Sequence, residues 1–86
     1  MAWQIITASG LGKVLRAERK AQGKTQAQIA KMIGCRRQAI GDIEAGRNVE
    51  SYTIFSVLAA LGKGLQVVNL EMPTIDDLES LFAEDD

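Results

Sequence analysis

Apolar positions recur every three or four residues through most of the chain, and then the period shortens toward two. Leu11, Val14 and Leu15 stand at i, i+3 and i+4, which predicts a first helix over Leu11–Gln22 with Gly23 as its stop. A second helix starts at Thr25. Thr25 and Gln28 fit a capping box, in which a hydroxyl and an amide satisfy the first free backbone donors. Ile29, Ala30 and Ile33 form its inner face, and Gly34 supplies a turn. A third helix is expected from about Arg36 to Ala45, with Ile40 and Ile43 inward and Gly46 as its stop. Ser51 is read as the cap of a fourth helix, Tyr52–Leu61, which Gly62 ends. That helix is apolar nearly all round, from Ile54 and Phe55 through Val57 and Leu58 to Leu61. A helix without a polar face is expected to be buried on more than one side, the second against a twin subunit.

After Gly64 the run LQVVNL, Leu65–Leu70, reads as a strand. A lone strand leaves its backbone donors and acceptors unpaired. Its partner is the β-prone run Trp3–Thr7, the same strand of another subunit, or a different protein. Pro73 breaks the pattern. Thr74 then caps a short helix with Asp76 and Asp77 in its first turn and Ile75, Leu78, Leu81 and Phe82 on one face. So little apolar area cannot fold alone, and the segment is either helical or without order until it docks.

The overall charge of −1 conceals a division. All ten Lys and Arg residues lie between Lys13 and Lys63, with only four acidic residues among them, so that span carries about +6. The seven remaining carboxylates all follow it, and the tail carries about −7. The middle is a candidate to bind a polyanion, and the tail is its electrostatic opposite. The plainer alternative is two solvated faces. Eighty-six residues suffice for one small domain. Such a domain buries only about 60% of its unfolded surface, which favours an oligomeric partner. No apolar run approaches the roughly 20 residues of a membrane span. No basic residue precedes the short apolar stretch near the start, so no secretory leader is expected. One cysteine, Cys35, admits no internal disulfide and suits a reducing cytoplasm. With no histidine, common zinc sites and His-based catalysis are excluded, and no cofactor or metal is expected. GLGK at 10–13 lacks the spacing of a phosphate-binding loop.

Helix, tight turn and helix over Thr25–Arg47 have the pattern of a helix-turn-helix, and in a DNA-binding unit of that kind the second helix is expected in the major groove with its first residues at base edges. Arg36, Arg37 and Gln38 are the natural readers. Arginine can bind guanine O6 and N7 bidentately, and glutamine can bind adenine N6 and N7. Asp42, one turn on, can accept from cytosine N4 or orient Gln38. Gln26 opens the second helix, where it can bond a phosphate. Arg47 and Asn48 follow the third helix and are placed to clamp the backbone. For each arginine the alternative is a solubilising charge; for Asp42 it is a structural bond. Cys35 sits at the turn beside two arginines, a setting that favours a reactive thiolate. Its simpler reading is a small buried turn residue.

The order and spacing of TQ, IA, MIG and AIGDIEAG resemble the helix-turn-helix of the Cro/CI (Xre) repressor family over about Leu11–Gly62. That resemblance implies an all-α, lambda-repressor-like bundle of four to five helices. It makes Gln26 the phosphate-contacting glutamine and Arg36, Arg37 and Gln38 the base contacts. It also implies an internal ion pair between Arg19 and Glu44. Departures are Arg36 where a Ser or Thr cap is common, Gly41 inside the third helix, and no proline after the glycine–arginine turn. A fourth helix ending in LG, a strand LQVV and a short tail are similar to HipB-like antitoxins. In that group the strands of two subunits pair into a small sheet, which here implicates Leu65, Val67, Val68 and Leu70. Such proteins repress their own operon and bind a HipA-type kinase toxin. The implied organisation is an arm with a short strand at 1–10, a DNA-binding domain at 11–62, a dimerisation strand at 63–72 and an acidic tail at 73–86.

The expected function is sequence-specific repression by a cytoplasmic homodimer on an inverted-repeat operator, with a kinase-like toxin as partner. The alternatives are a stand-alone phage-type or metabolic regulator, and an adaptor that uses the fold without reading bases. An enzyme is not expected, because no nucleophile–base pair or metal cluster is visible.

Overall fold

A computed structural model describes residues 4–70 of the chain. Four helices follow one another: α1 Ala8–Ala21, α2 Gln26–Ile33, α3 Arg37–Glu44 and α4 Ser51–Ala60. Helix α3 packs against each of the other three and is the centre of the bundle. Leu15, Ile29, Ile40, Ile43, Val57, Leu58 and Leu61 close the core, with Leu11, Ile33, Cys35, Val49 and Ile54 packed around it. No helix among the described residues is long and apolar enough to cross a membrane.

The helix starts differ from the sequence pattern in instructive ways. α1 begins three residues early, because Thr7 is its N-cap and its hydroxyl accepts from the Gly10 amide at 2.9 Å. At α2 the full capping box forms. Gln28 N–H donates to Thr25 Oγ1 at 3.0 Å, and Thr25 N–H donates to Gln28 Oε1 at 2.7 Å. Arg36 occupies the N-cap of α3 and supplies no side-chain cap. Ser51 is the first residue of α4 rather than its cap; Glu50 holds the cap position, and no side chain caps it. All four helices end as expected on glycines at positive φ: Gly23, Gly34, Gly46 and Gly62. At α3 this closure is a Schellman motif. Gly46 N–H donates to Ile43 O at 3.0 Å, and Arg47 N–H donates to Asp42 O at 2.8 Å.

One expectation for a buried face changes. Val14 is exposed, and the inner stripe of α1 is Leu11, Gly12, Leu15 and Arg19 instead. In the single chain α4 is covered on one side, as expected, and its other side is left for a second surface. Tyr52 and Phe55 stand out from it, at 77% and 57% exposure. Residues 63–70 make no strand within the described chain, since a ladder needs a second strand beside it. They run near the N-terminal arm, where Gln4 Nε2 donates to Asn69 O at 2.6 Å. The expected helix from Thr74 and the rest of the acidic tail lie outside the described residues.

Gly12 explains how α1 approaches α3. A Cβ there would stand 2.6 Å from Glu44 O and closer still to Ile43 O. Gly41 is the opposite case, with only the Gln26 amide at 3.9 Å. In a free helix either glycine costs about 1 kcal/mol against alanine. The two alanine variants are therefore expected to differ in sign. Gly41→Ala should raise stability by up to about 1 kcal/mol. Gly12→Ala should lower it by about 1–3 kcal/mol. Urea unfolding followed by circular dichroism measures both. A stabilised Gly12→Ala protein would contradict the close helix contact.

Candidate nucleic-acid interface

The site is built outward from a buried charge pair. Arg19 is 8% exposed, deep for a charged residue. Its Nε donates to Glu44 Oε2 at 2.7 Å, and its Nη2 donates to Glu44 Oε1 at 3.0 Å. Nη1 donates to Lys24 O at 2.8 Å. Gln26 Nε2 donates to the same Glu44 Oε1 at 3.1 Å. One carboxylate at the end of α3 thus ties α1, the α1–α2 turn and the first residue of α2. Burial alone would raise the Glu44 pKa. The hydrogen bonds from Arg19 and Gln26, with the positive charges of Arg19 and Arg16, outweigh it and hold the carboxyl below its ordinary value. The Arg19 guanidinium is pushed up, chiefly by its hydrogen bond to Glu44.

Against this anchor α3 presents its ends. Ile40 and Ile43 are buried, and Arg36, Arg37 and Gln38 are exposed together at the N-terminal end. Arg47 and Asn48 are exposed beyond the C-terminal end. Gln26 lies over Gly41, between the two groups. Arg47 is doubly tied to Asp42. Its amide bonds Asp42 O, and its Nη1 donates to Asp42 Oδ1 at 3.2 Å. The Asp42 carboxylate therefore orients Arg47, not Gln38. This pair is largely exposed and worth about 0–1 kcal/mol, so its use is positional. Cys35 packs against the core, and its thiol donates to Arg36 O at 3.4 Å. Among the described residues no group of three or more side chains is placed to hold a metal ion.

Leu65, Val67, Val68 and Leu70 are all exposed, Val67 completely. They and Ile5, Ile6 and Leu11 flank open apolar grooves along the arm. Sequence reasoning missed a clamp at the other end of α1. Gln22 Nε2 donates to Leu61 O at 2.8 Å, and Lys24 Nζ donates to Ala60 O at 3.3 Å. These donors satisfy carbonyls that the end of α4 leaves free. The only signal in the sequence is a polar AQGKT turn between two amphipathic helices.

An exposed basic helix tip on a small bundle, with a polar helix start beside it, defines a DNA-binding helix-turn-helix regulator. The helix-turn-helix family model of the Xre, or Cro/CI, type matches residues 15–68, and the chain belongs to that family. Its structure is similar to that of a HipB variant in complex with an O2 20mer, at 25% identity over 83% of this chain and 100% of that one, with a TM-score of 0.77. Two further likenesses are of fold alone: a HipB–O4 20mer complex and a HipA–HipB–O2–O3 complex. Each is 24% identical over 81% of this chain and 100% of that one, with a TM-score of 0.76. A comparison with curated proteins gave no match.

The lowered Glu44 pKa sets a pH dependence. A carboxyl depressed in the folded state stabilises the fold fully above its unfolded value, near 4.5, and this contribution is lost as pH falls through the folded value. Glu44→Gln should cost about 3 kcal/mol at pH 7, because Arg19 is left buried without its counter-charge. Urea titrations from pH 7 to pH 3 should show the gap between the two proteins narrowing below about pH 4.5. A gap of constant size would mean that the carboxylate charge is not what binds the three helices.

Proposed function

We propose that this protein is a homodimeric, sequence-specific repressor of the HipB antitoxin type, acting in the cytoplasm on its own operon. The observation that carries the reading is the exposed Arg36–Arg37–Gln38 tip of α3, held on the bundle by the Arg19–Glu44–Gln26 network. In the major groove Arg36 and Arg37 are suited to guanine, and Gln38 to adenine. The free amide hydrogen of Gln26, with Arg47 and Asn48, serves the flanking phosphates and fixes the register. Asp42 contributes by holding Arg47 in place. It is then a base contact only where a cytosine amine competes for its second oxygen.

The apolar surface that one chain leaves open at Leu65, Val67, Val68 and Leu70 supports a dimer. Pairing these segments across a two-fold axis gives each strand a ladder partner and covers the apolar side chains. Two reader helices about 34 Å apart then meet an inverted repeat, and occupancy of the promoter is the whole mechanism. The HipB-like fold supports a kinase-like toxin as the second protein partner.

The Arg37→Ala, Gln38→Ala double variant should lose about 10- to 100-fold or more in affinity for the protein's own upstream DNA. Its affinity for unrelated DNA should change far less. Fluorescence anisotropy measures both, and sedimentation checks that the dimer persists. Unchanged discrimination would remove these residues from the reading role. Purification of the tagged protein from its native cells, with nuclease treatment, addresses the toxin. A stoichiometric kinase-like protein is expected. Recovery of a second copy alone would leave a repressor without an antitoxin role.

A further inference from the structure

We propose that residues 78–86 of this chain dock on the outer face of α2, at a shallow site formed by Lys24, Gln28, Lys31 and Met32. Docked there, they screen the basic surface from DNA, a consequence that rests on the DNA-binding reading above. The charge inventory comes first. Of the four acidic residues before residue 70, Glu18 is paired with Lys63, Glu44 with Arg19 and Asp42 with Arg47. Glu50 alone is left for the remaining cations. The other seven carboxylates all follow residue 70, so that segment carries carboxylates for the cations without an ion pair, Lys24 and Lys31 among them.

The site offers more than charge. Met32 is 57% exposed, and the open cavity of about 480 Å³ beside it is flanked by Lys24 and Lys31. Lys31 is exposed. Lys24 gives one proton to Ala60 O, and an ammonium has three to give. Residues 78–86, LESLFAEDD, carry the matching pattern. Leu81 and Phe82 are apolar and suit Met32 and the lysine stems, while Glu79, Glu84, Asp85 and Asp86 suit the ammonium groups. The reader tip at Arg36, Arg37 and Gln38 offers charge without an apolar seat. The groove at Ile5, Ile6 and Val67 offers apolar surface without a lysine. Of these three faces of the described residues, the α2 face offers both.

Chain length permits the contact. Lys24 Nζ touches Ala60 O, at the last residue of α4. From there to Leu70 the chain spans at most about 35 Å, and the eleven residues from Leu70 to Leu81 can span about the same distance back. In an extended conformation residues 70–81 are long enough to bring Leu81 back to Lys24. Four carboxylates on α2 would then lie beside the helix whose first residue, Gln26, serves the phosphates. Phosphate and carboxylate compete for the same cations.

The test uses the full chain and its Leu81→Ser, Phe82→Ser variant. Methyl NMR of Met32, without DNA, should show its resonance displaced in the variant, with the amides of Lys24, Gln28 and Lys31. DNA affinity at low salt should rise by about two- to tenfold, and less at high salt. An unmoved Met32, or changes confined to Ile5, Ile6 and Val67, would overturn the docking site. A displaced Met32 with unchanged DNA affinity would overturn the screening. Absence of DNA binding by both proteins would count against the DNA-binding reading and leave the Met32 result to stand by itself.

Discussion

Three helices of this bundle meet at one carboxylate. Glu44 ends α3, and it takes two hydrogen bonds from Arg19 of α1 and one from Gln26 of α2. Arg19 spends its remaining donor arm on Lys24 O in the turn between them. Both side chains of the ion pair are nearly excluded from water. A buried pair of this kind adds little net stability over an apolar substitute, because desolvation offsets attraction. Its value here is directional. An apolar cluster would hold the helices together and leave Gln26 free to turn. The carboxylate fixes where the start of α2 stands over α3, and with it the placing of Gln26 relative to the exposed Arg36–Gln38 tip.

The same corner of the fold is where backbones come closest. Gly12 lets α1 sit against the carbonyls of Ile43 and Glu44. Gly46 combines a positive φ with an approach to Ser9 in which a Cβ would stand 2.8 Å from Ser9 Cα. Both glycines let the N-terminal half of α1 lie close against the end of α3. At the opposite end, Gln22 and Lys24 donate into the last carbonyls of α4. The core between is small, and these polar ties orient helices that a few apolar side chains would hold only loosely. No buried side-chain polar atom among the described residues lacks a partner.

Apolar surface is left over. Phe55 and Tyr52 on α4, Ile5 and Ile6 on the arm, and Leu65 to Leu70 after the bundle all stand in solvent in the single chain. A domain of this size does not keep that much apolar surface open without a use for it. The proposed dimer takes the strand segment and the arm. Charge is divided along the same chain. The described residues hold every lysine and arginine, and most of their carboxylates are already engaged in ion pairs. The basic surface of the described residues is thus a surplus of charge.

Much of the fold could be read from local pattern, because local pattern is what makes it. Thr25 and Gln28 form their capping box across one turn, and Gly23, Gly34, Gly46 and Gly62 stop helices by backbone conformation alone. Ile29, Ile40 and Ile43 fall inward by period. Arg36, Arg37 and Gln38 are exposed because they lead a helix whose buried face comes later. The Arg19–Glu44 pair was visible through family resemblance, not through any period. Only the tertiary structure decided that Arg19 replaces Val14 on the inner stripe of α1. It also decided that Asp42 answers to Arg47, and that Gly12 is required by a carbonyl of α3. The partners of Arg19 and Gln26 stand 25 and 18 residues away. Periodicity records which way a side chain points along its own helix. What it meets there depends on where another helix has been placed, and that is a property of the packed whole.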